Sequence, residues 1–423
     1  MQYIREENES YNLHIIKTNK FKKMIIKVNF KAPIEKEKIV LRRLVPNILL
    51  ESNAKYNTKR LLNIKTEELY NLSGGSRVVN SGNSIVTSFT QTALSEKYAK
   101  GLFHDTVEFV SNIIFNPIIV DNHFNEEAFK HSRDILKEEM ELLNENPMAY
   151  ANEEAMKEIG KGTPIAYPLY GTEKELNFVK NKDVYRCYLD MINNDKIDIF
   201  LIGDIPENAS KIVKEYFRFN GLREDSNHYI NHKEFSEEYR EIKKTKPYNQ
   251  STLIIGYKVD NLTNFEKQYV MPIYSYILGG GPDSRLFKNV REKNSLCYSI
   301  GSSYRLISNL FIISSGINAS DYNKALKLIK EEVRKMANGE FNKNDIEKAK
   351  ITFLSAYDEV PDSIYSILND YINHEYLQTD LVMKRKEEII KVTKEDIMNV
   401  IPKIHPEIVY LLEGSKEYEK ENI

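Results

Sequence analysis

The chain of 423 residues has few cysteines, almost no net charge and no long apolar run, and each deficit excludes a class of protein. Only Cys187 and Cys297 occur, so no disulfide framework and no four-thiolate zinc site can form. The formal net charge of −2 gives no electrostatic basis for binding nucleic acid. No segment approaches the ~20 apolar residues that cross a bilayer, and the polar N-terminal segment does not resemble a signal peptide. We therefore expect a cytoplasmic chain that contacts neither nucleic acid nor membrane.

Apolar residues follow two different periods along the chain, which predicts a mixed architecture. Hydrophobic residues make up 41% of a sequence that is too long for one core, so we expect two domains. The segment HIIKTNKFKKMIIKVNFKAP alternates apolar and polar positions as a hairpin does, whereas residues 35–52 have the spacing of an amphipathic helix. Because strands return by hairpins rather than by regular βαβ units, the predicted fold class is α+β, with helices packed on antiparallel sheets.

An internal repeat indicates that the two domains are homologous. The helical segment that opens with Phe124 and ends at a proline turn recurs from Phe341. A helix, a strand and a glycine that start at Asn181 recur from Thr393. A third match, LVPNILLESNAKYNTKRLL with MPIYSYILGGGPDSRLF, lies near the front of each half. Three matches in the same order predict a duplicated chain.

The boundary between the predicted halves lies in a polar stretch rich in Glu, Lys, Asn and His. We assign residues 221–249 to a linker on this composition. Residues 1–220 then form the first domain and residues 250–423 the second. Each domain is predicted to be an antiparallel sheet packed with helices.

The segment from Tyr274 to Tyr304, YSYILGGGPDSRLFKNVREKNSLCYSIGSSY, carries a family resemblance. It resembles the C-terminal half of the pitrilysin, insulinase and mitochondrial processing peptidase family of metallopeptidases. The YPLYGTEKEL segment that begins at Tyr167 and the strand that ends in Gly203 resemble the first domain of that family. The resemblance therefore extends over most of the chain and implies a duplicated metallopeptidase-like fold.

The resemblance implies a role for an arginine and a tyrosine seven residues apart, here Arg291 and Tyr298. In active members such a pair binds the peptide and stabilises the oxyanion at the scissile carbonyl. A cation and a phenol donor aimed at developing negative charge are a known form of electrostatic catalysis. The structural alternative is that Arg291 pairs with a surface acid and that Tyr298 fills the core.

The zinc half of the family's catalytic apparatus is missing. Active members hold zinc and activate water with His-x-x-Glu-His on one helix, and neither this motif nor its inverse occurs here. Aligned by the helix and the loop that follows it, the motif position holds Ile48, Glu51 and Ser52. The family's third ligand, a glutamate on a later helix, would be Glu138 or Glu139. Isoleucine cannot bind zinc and serine is a poor substitute for imidazole, so we expect no metal or other cofactor in this chain.

The eight histidines offer one unorthodox alternative. His123 and His131 flank the start of a helix that carries Glu126, Glu127 and Glu138. A pair eight residues apart shares a helix face only loosely, and the remaining histidines are scattered, so an ordinary solvent or core role accounts for them.

The leading hypothesis is that this chain is the zinc-less, Arg/Tyr-bearing subunit of a two-chain peptidase. Its partner would be a homologous subunit that carries the zinc motif and its zinc, and an extended peptide substrate would add as a strand to a sheet edge. Arg291 and Tyr298 would complete the partner's active site. One alternative is a structural or peptide-binding protein of the same fold without a peptidase role. Another is a homodimeric peptidase with a displaced metal site, and a homodimer in the absence of the partner also stays open.

Overall fold

The computed structural model describes residues 1–219 and 228–415, which form two compact units. The first unit comprises Met1–Glu141, residues 167–219, His228 and Ile364–Leu368, and the second comprises Leu142–Ala166, Tyr229–Ser363 and residues 369–415. Within these described residues, every helix is too short or too polar to span a membrane.

Strands and helices alternate irregularly along the chain, as the periodicity predicts. The strands are β1 (Gln2–Glu7), β2 (Asn12–Lys17), β3 (Lys23–Pro33), β4 (Ser73–Ser81), β5 (Ser84–Leu94), β6 (Ile119–Val120), β7 (His123–Phe124), β8 (Lys196–Gly203), β9 (Arg240–Lys246), β10 (Ser251–Val259), β11 (Cys297–Arg305), β12 (Leu310–Ile317) and β13 (Ile404–Gly414). The helices are α1 (Ile39–Leu49), α2 (Lys59–Glu68), α3 (Leu102–Phe115), α4 (Glu126–Glu145), α5 (Pro147–Ile159), α6 (Glu173–Phe178), α7 (Asn181–Asn194), α8 (Ala209–Tyr216), α9 (Met271–Gly279), α10 (Tyr322–Ala337), α11 (Lys343–Glu359), α12 (Ile364–Leu377), α13 (Val382–Ile389) and α14 (Lys394–Val400).

The two units contain sheets of the same topology. In the first unit the strand order is β1-β2-β8-β3-β5-β4, and in the second it is β11-β12-β10-β13-β9. The antiparallel run β8-β3-β5-β4 has its counterpart in β13-β10-β12-β11, and β2 lies parallel to β8 as β9 lies parallel to β13. The predicted fold class, α+β with two homologous halves, is therefore confirmed.

The predicted linker 221–249 differs from the structure in its described part. Arg240–Lys246 is not linker but strand β9, the counterpart of β2 in the second sheet. Its sequence REIKKTK lacks apolar alternation because β9 is an edge strand with mostly exposed side chains, and lysines on an edge discourage pairing with other chains. Residues 221–227 of that prediction lie outside the described residues.

The domain boundary also differs, because α5 belongs to the second unit although it precedes residue 220. Its stripe of Ala151, Ala155 and Ile159 is buried against β10 and β13. Gly256 of β10 allows this close packing, since a Cβ there would lie 2.4 Å from Cδ1 of Ile159. Residues 142–166 are therefore an excursion of the chain into the second core.

The core of the first unit forms where β3 meets the helices. Alternate residues of β3, among them Val28 and Phe30, are fully buried, and the Phe30 ring packs edge-on against Phe89 of β5. Leu44 and Val45 of α1 contribute to the same core. This apolar stripe, at helical spacing, fixes which face of α1 turns inward.

A buried ion pair joins α1 to the end of α7. Arg42 binds both carboxylate oxygens of Asp195, with 2.6 Å between Nη2 and Oδ1, and both side chains are only 2% exposed. Asp195 directly follows the last residue of α7. Cys187 lies in the same region, and burial raises the pKa of its thiol to about 11. The pair therefore locks the rotation of α1 against α7.

We expect Arg42→Ala to lower the free energy of unfolding by about 3–5 kcal/mol, because the Asp195 carboxylate would stay buried after losing both hydrogen bonds from Arg42. Urea and thermal unfolding followed by circular dichroism measure this. The matched control is Arg186→Ala, which removes an exposed pair with Asp183 and costs about 0.5 kcal/mol or less. Arg42→Met combined with Asp195→Leu should recover most of the loss. Equal effects of Arg42→Ala and Arg186→Ala would contradict this role.

Candidate functional site

A pocket of about 320 Å³ in the first unit lies between α1 and the edge strand β4, and we call it the α1–β4 pocket. Residues from α4 and from the loop before α6 complete its wall. The lining residues are Arg43, Pro46, Asn47, Ser76, Arg77, Val78, Val79, Asn80, Glu139, Leu169 and Tyr170.

Arg43 is held rigidly in this pocket. Its Nε donates to the carbonyl oxygen of Leu169 at 2.7 Å, and Nη1 donates to that of Val78 at 3.2 Å. The guanidinium also stacks 4.6 Å from the ring centre of Tyr170. Leu169 and Tyr170 belong to the YPLYGTEKEL segment, so one motif that carries the family resemblance forms a wall of the pocket. A positive charge is thereby fixed beside β4.

Glu139 reaches the pocket from α4, whereas its neighbour Glu138 is exposed. Burial raises the pKa of the Glu139 carboxyl, and the nearby charge of Arg43 opposes part of that rise. Of the two glutamates that the sequence leaves open, Glu139 is the one that faces α1.

The predicted ligand positions on α1 require a correction. Because α1 ends at Leu49, Ile48 lies in its last turn, and Glu51 and Ser52 follow the helix and cannot share a face with it. Ile48 is buried in the core, and Glu51 lies 3.4 Å from both Lys59 Nζ and His131 Nδ1. These residues are not brought together with Glu139.

The residues of α1 that do face Glu139 lie about one turn earlier. Arg43, Pro46 and Asn47 line the pocket and have the spacing of the first His, the Glu and the second His in His-x-x-Glu-His. Sequence alignment by the loop missed them because Arg, Pro and Asn keep none of the chemistry of that motif. They are identified by the pocket that they share with Glu139.

This set of residues does not fit zinc. A guanidinium is a permanent cation, proline has no donor atom, and a neutral amide is a poor ligand compared with imidazole. Over residues 1–219 and 228–415, no group of three or more His, Cys, Asp or Glu side chains is placed to hold a metal. The two histidines considered as an alternative metal site have separate partners. His123 bonds to the carbonyl of Phe124, while His131 contacts Glu51.

Arg291 and Tyr298 of the second unit are both at the surface. Arg291 lies in a π-helical turn, Phe287–Glu292, with its guanidinium 4.6 Å from the ring centre of Phe287. Among the described residues, no carboxylate forms an ion pair with it. Within residues 1–219 and 228–415, the structural alternative of an arginine paired with an acid therefore does not describe Arg291.

Tyr298 occupies a β-bulge near the start of the edge strand β11, where the register with β12 shifts between Cys297 and Ser299. The side chain is 60% exposed, and its hydroxyl donates to Asn318 Oδ1 at 3.3 Å. Cys297, the residue before it, is buried, so Tyr298 is directed to the opposite, solvent-facing side of the strand. The alternative that Tyr298 fills the core is therefore wrong.

Comparisons with known proteins agree in one family. The family model "Peptidase M16 inactive domain" matches residues 179–353. The chain is 26% identical to "Probable inactive metalloprotease YmfF" of Bacillus subtilis over 98% of this chain and 99% of that protein. A conserved protein of Enterococcus faecalis has a crystal structure with a TM-score of 0.92, at 25% identity over 99% of this chain and 100% of that one.

A more distant structure shares the fold. A peptidase M16 inactive domain from Pseudomonas fluorescens gives a TM-score of 0.80 at 15% identity, over 99% of both chains. The duplicated architecture described above is therefore found in a protein of very different sequence.

We expect the triple variant Arg43→His, Pro46→Glu and Asn47→His to bind one zinc ion with Glu139, because it restores two imidazoles to the correct helical face. Zinc titration with a competing chromophoric chelator measures the affinity, and Glu139→Gln in the triple background should weaken it. The matched control is Ile48→His with Ser52→His, which lie on either side of the end of α1 and share no helix face, so it should bind no zinc tightly. Stoichiometric zinc in the unaltered chain, or tighter binding by the control, would refute this register.

Proposed function

The chain belongs to the peptidase M16 family, and on that premise we propose that it is a non-catalytic member that acts together with a zinc-bearing homologous chain. The proposal rests on one observation, which is that one set of the family's catalytic groups is replaced in this chain and the other set is kept. Arg43, Pro46 and Asn47 leave the zinc-motif positions of α1 without imidazole ligands, while Arg291 and Tyr298 in the second unit keep exposed hydrogen-bond donors. General decay of the chain would have affected both sets.

Arg291 and Tyr298 act on the partner's substrate in this proposal. A guanidinium and a phenol both donate hydrogen bonds, and donors directed at the scissile carbonyl lower the energy of the tetrahedral oxyanion. The partner supplies the zinc and the activated water. The exposure of Tyr298 and the absence of an acid partner for Arg291 among the described residues support this use, because both side chains are accessible to a bound peptide.

The peptide adds to a sheet edge by main-chain hydrogen bonds. Both sheets end in strands with one unpaired edge, β4 in the first unit and β11 in the second. An extended peptide that pairs with such a strand is recognised through its backbone, so many sequences are accepted. We further propose the cytoplasm as the compartment, since Cys187 and Cys297 are both free thiols.

We expect peptide cleavage only when this chain is mixed with a zinc-motif-bearing M16 chain from the same organism. Arg291→Ala or Tyr298→Phe in this chain should reduce kcat/KM of the mixture by about 10²-fold, the usual cost of losing one oxyanion donor. A quenched fluorescent peptide reports cleavage, and a chelator should abolish it.

The matched control is Lys293→Ala, which removes an exposed cation between the two residues and should leave cleavage unchanged. Chelator-sensitive cleavage by the purified chain alone would support a self-sufficient homodimer and contradict the proposal. An active mixture that is indifferent to Arg291→Ala and Tyr298→Phe would leave the pairing intact but remove the role in trans.

A further inference from the structure

The sheet of the first unit has a polar face on the side away from its helices. Phe30 of β3 and Phe89 of β5 belong to the core beneath the helices, so the residues that alternate with them point to the other side. Lys27 of β3 is one of these residues, and the register puts it directly across from Thr90 of β5. This face of the sheet therefore carries hydrophilic side chains near its centre.

Arg77 of the edge strand β4 lies on the same face. It is directly across from Ser88 of β5, and residues that are directly opposite in an antiparallel ladder share a face. Only β5 separates β3 from β4, a distance of about 10 Å, which the long side chains of a lysine and an arginine span together. Burial and the charge of Arg77 together lower the pKa of Lys27. The two cations therefore interact across β5.

The protein's own acids do not neutralise these two cations. Over residues 1–219 and 228–415, no carboxylate lies within ion-pair distance of Lys27 or Arg77. Asp198 of β8, on the same face, is engaged elsewhere, since its Oδ1 lies 3.1 Å from His14 Nε2 and accepts a hydrogen bond from Asn12 Nδ2 at 2.9 Å. Two positive charges thus lack an internal counter-charge and attract an anion from solution.

The strand between the two cations supplies further hydrogen-bond donors. Ser88 and Thr90 lie on β5 between Lys27 and Arg77, and in the described part of the chain neither hydroxyl has a hydrogen-bond partner. Gly75, across from Thr90, leaves space on this face, since a Cβ there would meet no atom within 4 Å. A guanidinium fork, an ammonium group and two hydroxyls therefore surround an open position.

We propose that Lys27, Arg77 and the hydroxyls of Ser88 and Thr90 form a binding site for a phosphate-type oxyanion, either inorganic phosphate or the phosphoryl group of a small metabolite. Arg77 holds two oxygens through its planar guanidinium, and Lys27 adds a point charge from the other side. The hydroxyls donate to an oxygen that faces the sheet. A carboxylate has two oxygens in one plane and would leave part of these donors unused. This site does not depend on the proposed peptide function.

Competitive acetylation of the full-length chain with trace acetic anhydride, read by mass spectrometry, tests the site. We expect about 10 mM phosphate to slow acetylation of Lys27 about fivefold relative to sodium chloride of equal ionic strength, as for a Kd on the order of 2 mM. The reason is that a bound anion shields the amine and favours its protonated form. Lys23, exposed at the start of the same strand, should react equally in both salts.

Arg77→Gln should reduce the protection of Lys27 to less than about twofold, since losing one charged hydrogen-bonding group costs about tenfold in affinity. Arg60→Gln removes another exposed arginine, on α2, and should preserve the protection. Thermal melting shows whether each variant is folded.

The choice of anion separates the remaining outcomes. Equal protection by glycerol 3-phosphate would support the site and assign it to a metabolite, whereas protection by phosphate alone would support it as a site for the inorganic ion. Protection by acetate as strong as that by phosphate would overturn the oxyanion site. No protection of Lys27, or protection that survives Arg77→Gln, would also overturn it.

Discussion

The buried ion pair between Arg42 and Asp195 is the constraint on which the first unit's pocket depends. Its two hydrogen bonds fix the rotation of α1, and the next residue along the helix, Arg43, consequently points to the other side, toward β4. Helix geometry separates consecutive side chains by about 100°, so one arginine is committed to the core while its neighbour serves the pocket. Burying these two charges costs desolvation free energy that their mutual attraction offsets only in part. The role of the pair is therefore to fix the orientation of α1 rather than to raise stability.

Duplication explains why the two units differ so little in topology and so much in chemistry. Each sheet has the same antiparallel run of four strands and the same additional parallel strand, so the backbone offers an edge strand in both units. The side chains near those edges have diverged. β4 borders the pocket that holds Arg43 and Glu139, whereas β11 carries the exposed Tyr298 at a bulge. A shared backbone with separately evolved side chains is how one fold carries different sites.

Periodicity and the internal repeat predicted most of the fold, since both are properties of apolar positions that packing obeys. They failed where a segment is polar and where no residue pattern distinguishes between two possible positions. β9 looked like linker because its side chains face solvent, and α5 gave no sign of which core it joins because Ala151 and Ala155 fit either. The end of α1 was misplaced because no glycine follows Leu49 and apolar Leu50 continues the pattern. Alignment by the loop then placed the zinc-motif positions at Ile48, Glu51 and Ser52, because Arg43, Pro46 and Asn47 keep none of the chemistry of that motif.

The chemistry of the α1–β4 pocket separates binding from hydrolysis. A zinc ion held by two imidazoles and a glutamate is an exchangeable cation that lowers the pKa of a bound water. Arg43 places a positive charge on the corresponding face of α1, next to Glu139, but a guanidinium coordinates no water and transfers no proton at neutral pH. The pocket still attracts an electron-rich group electrostatically, but it lacks the zinc-bound water that serves as the nucleophile. This face of α1 therefore keeps a fixed positive charge beside Glu139 without the means to activate a water molecule.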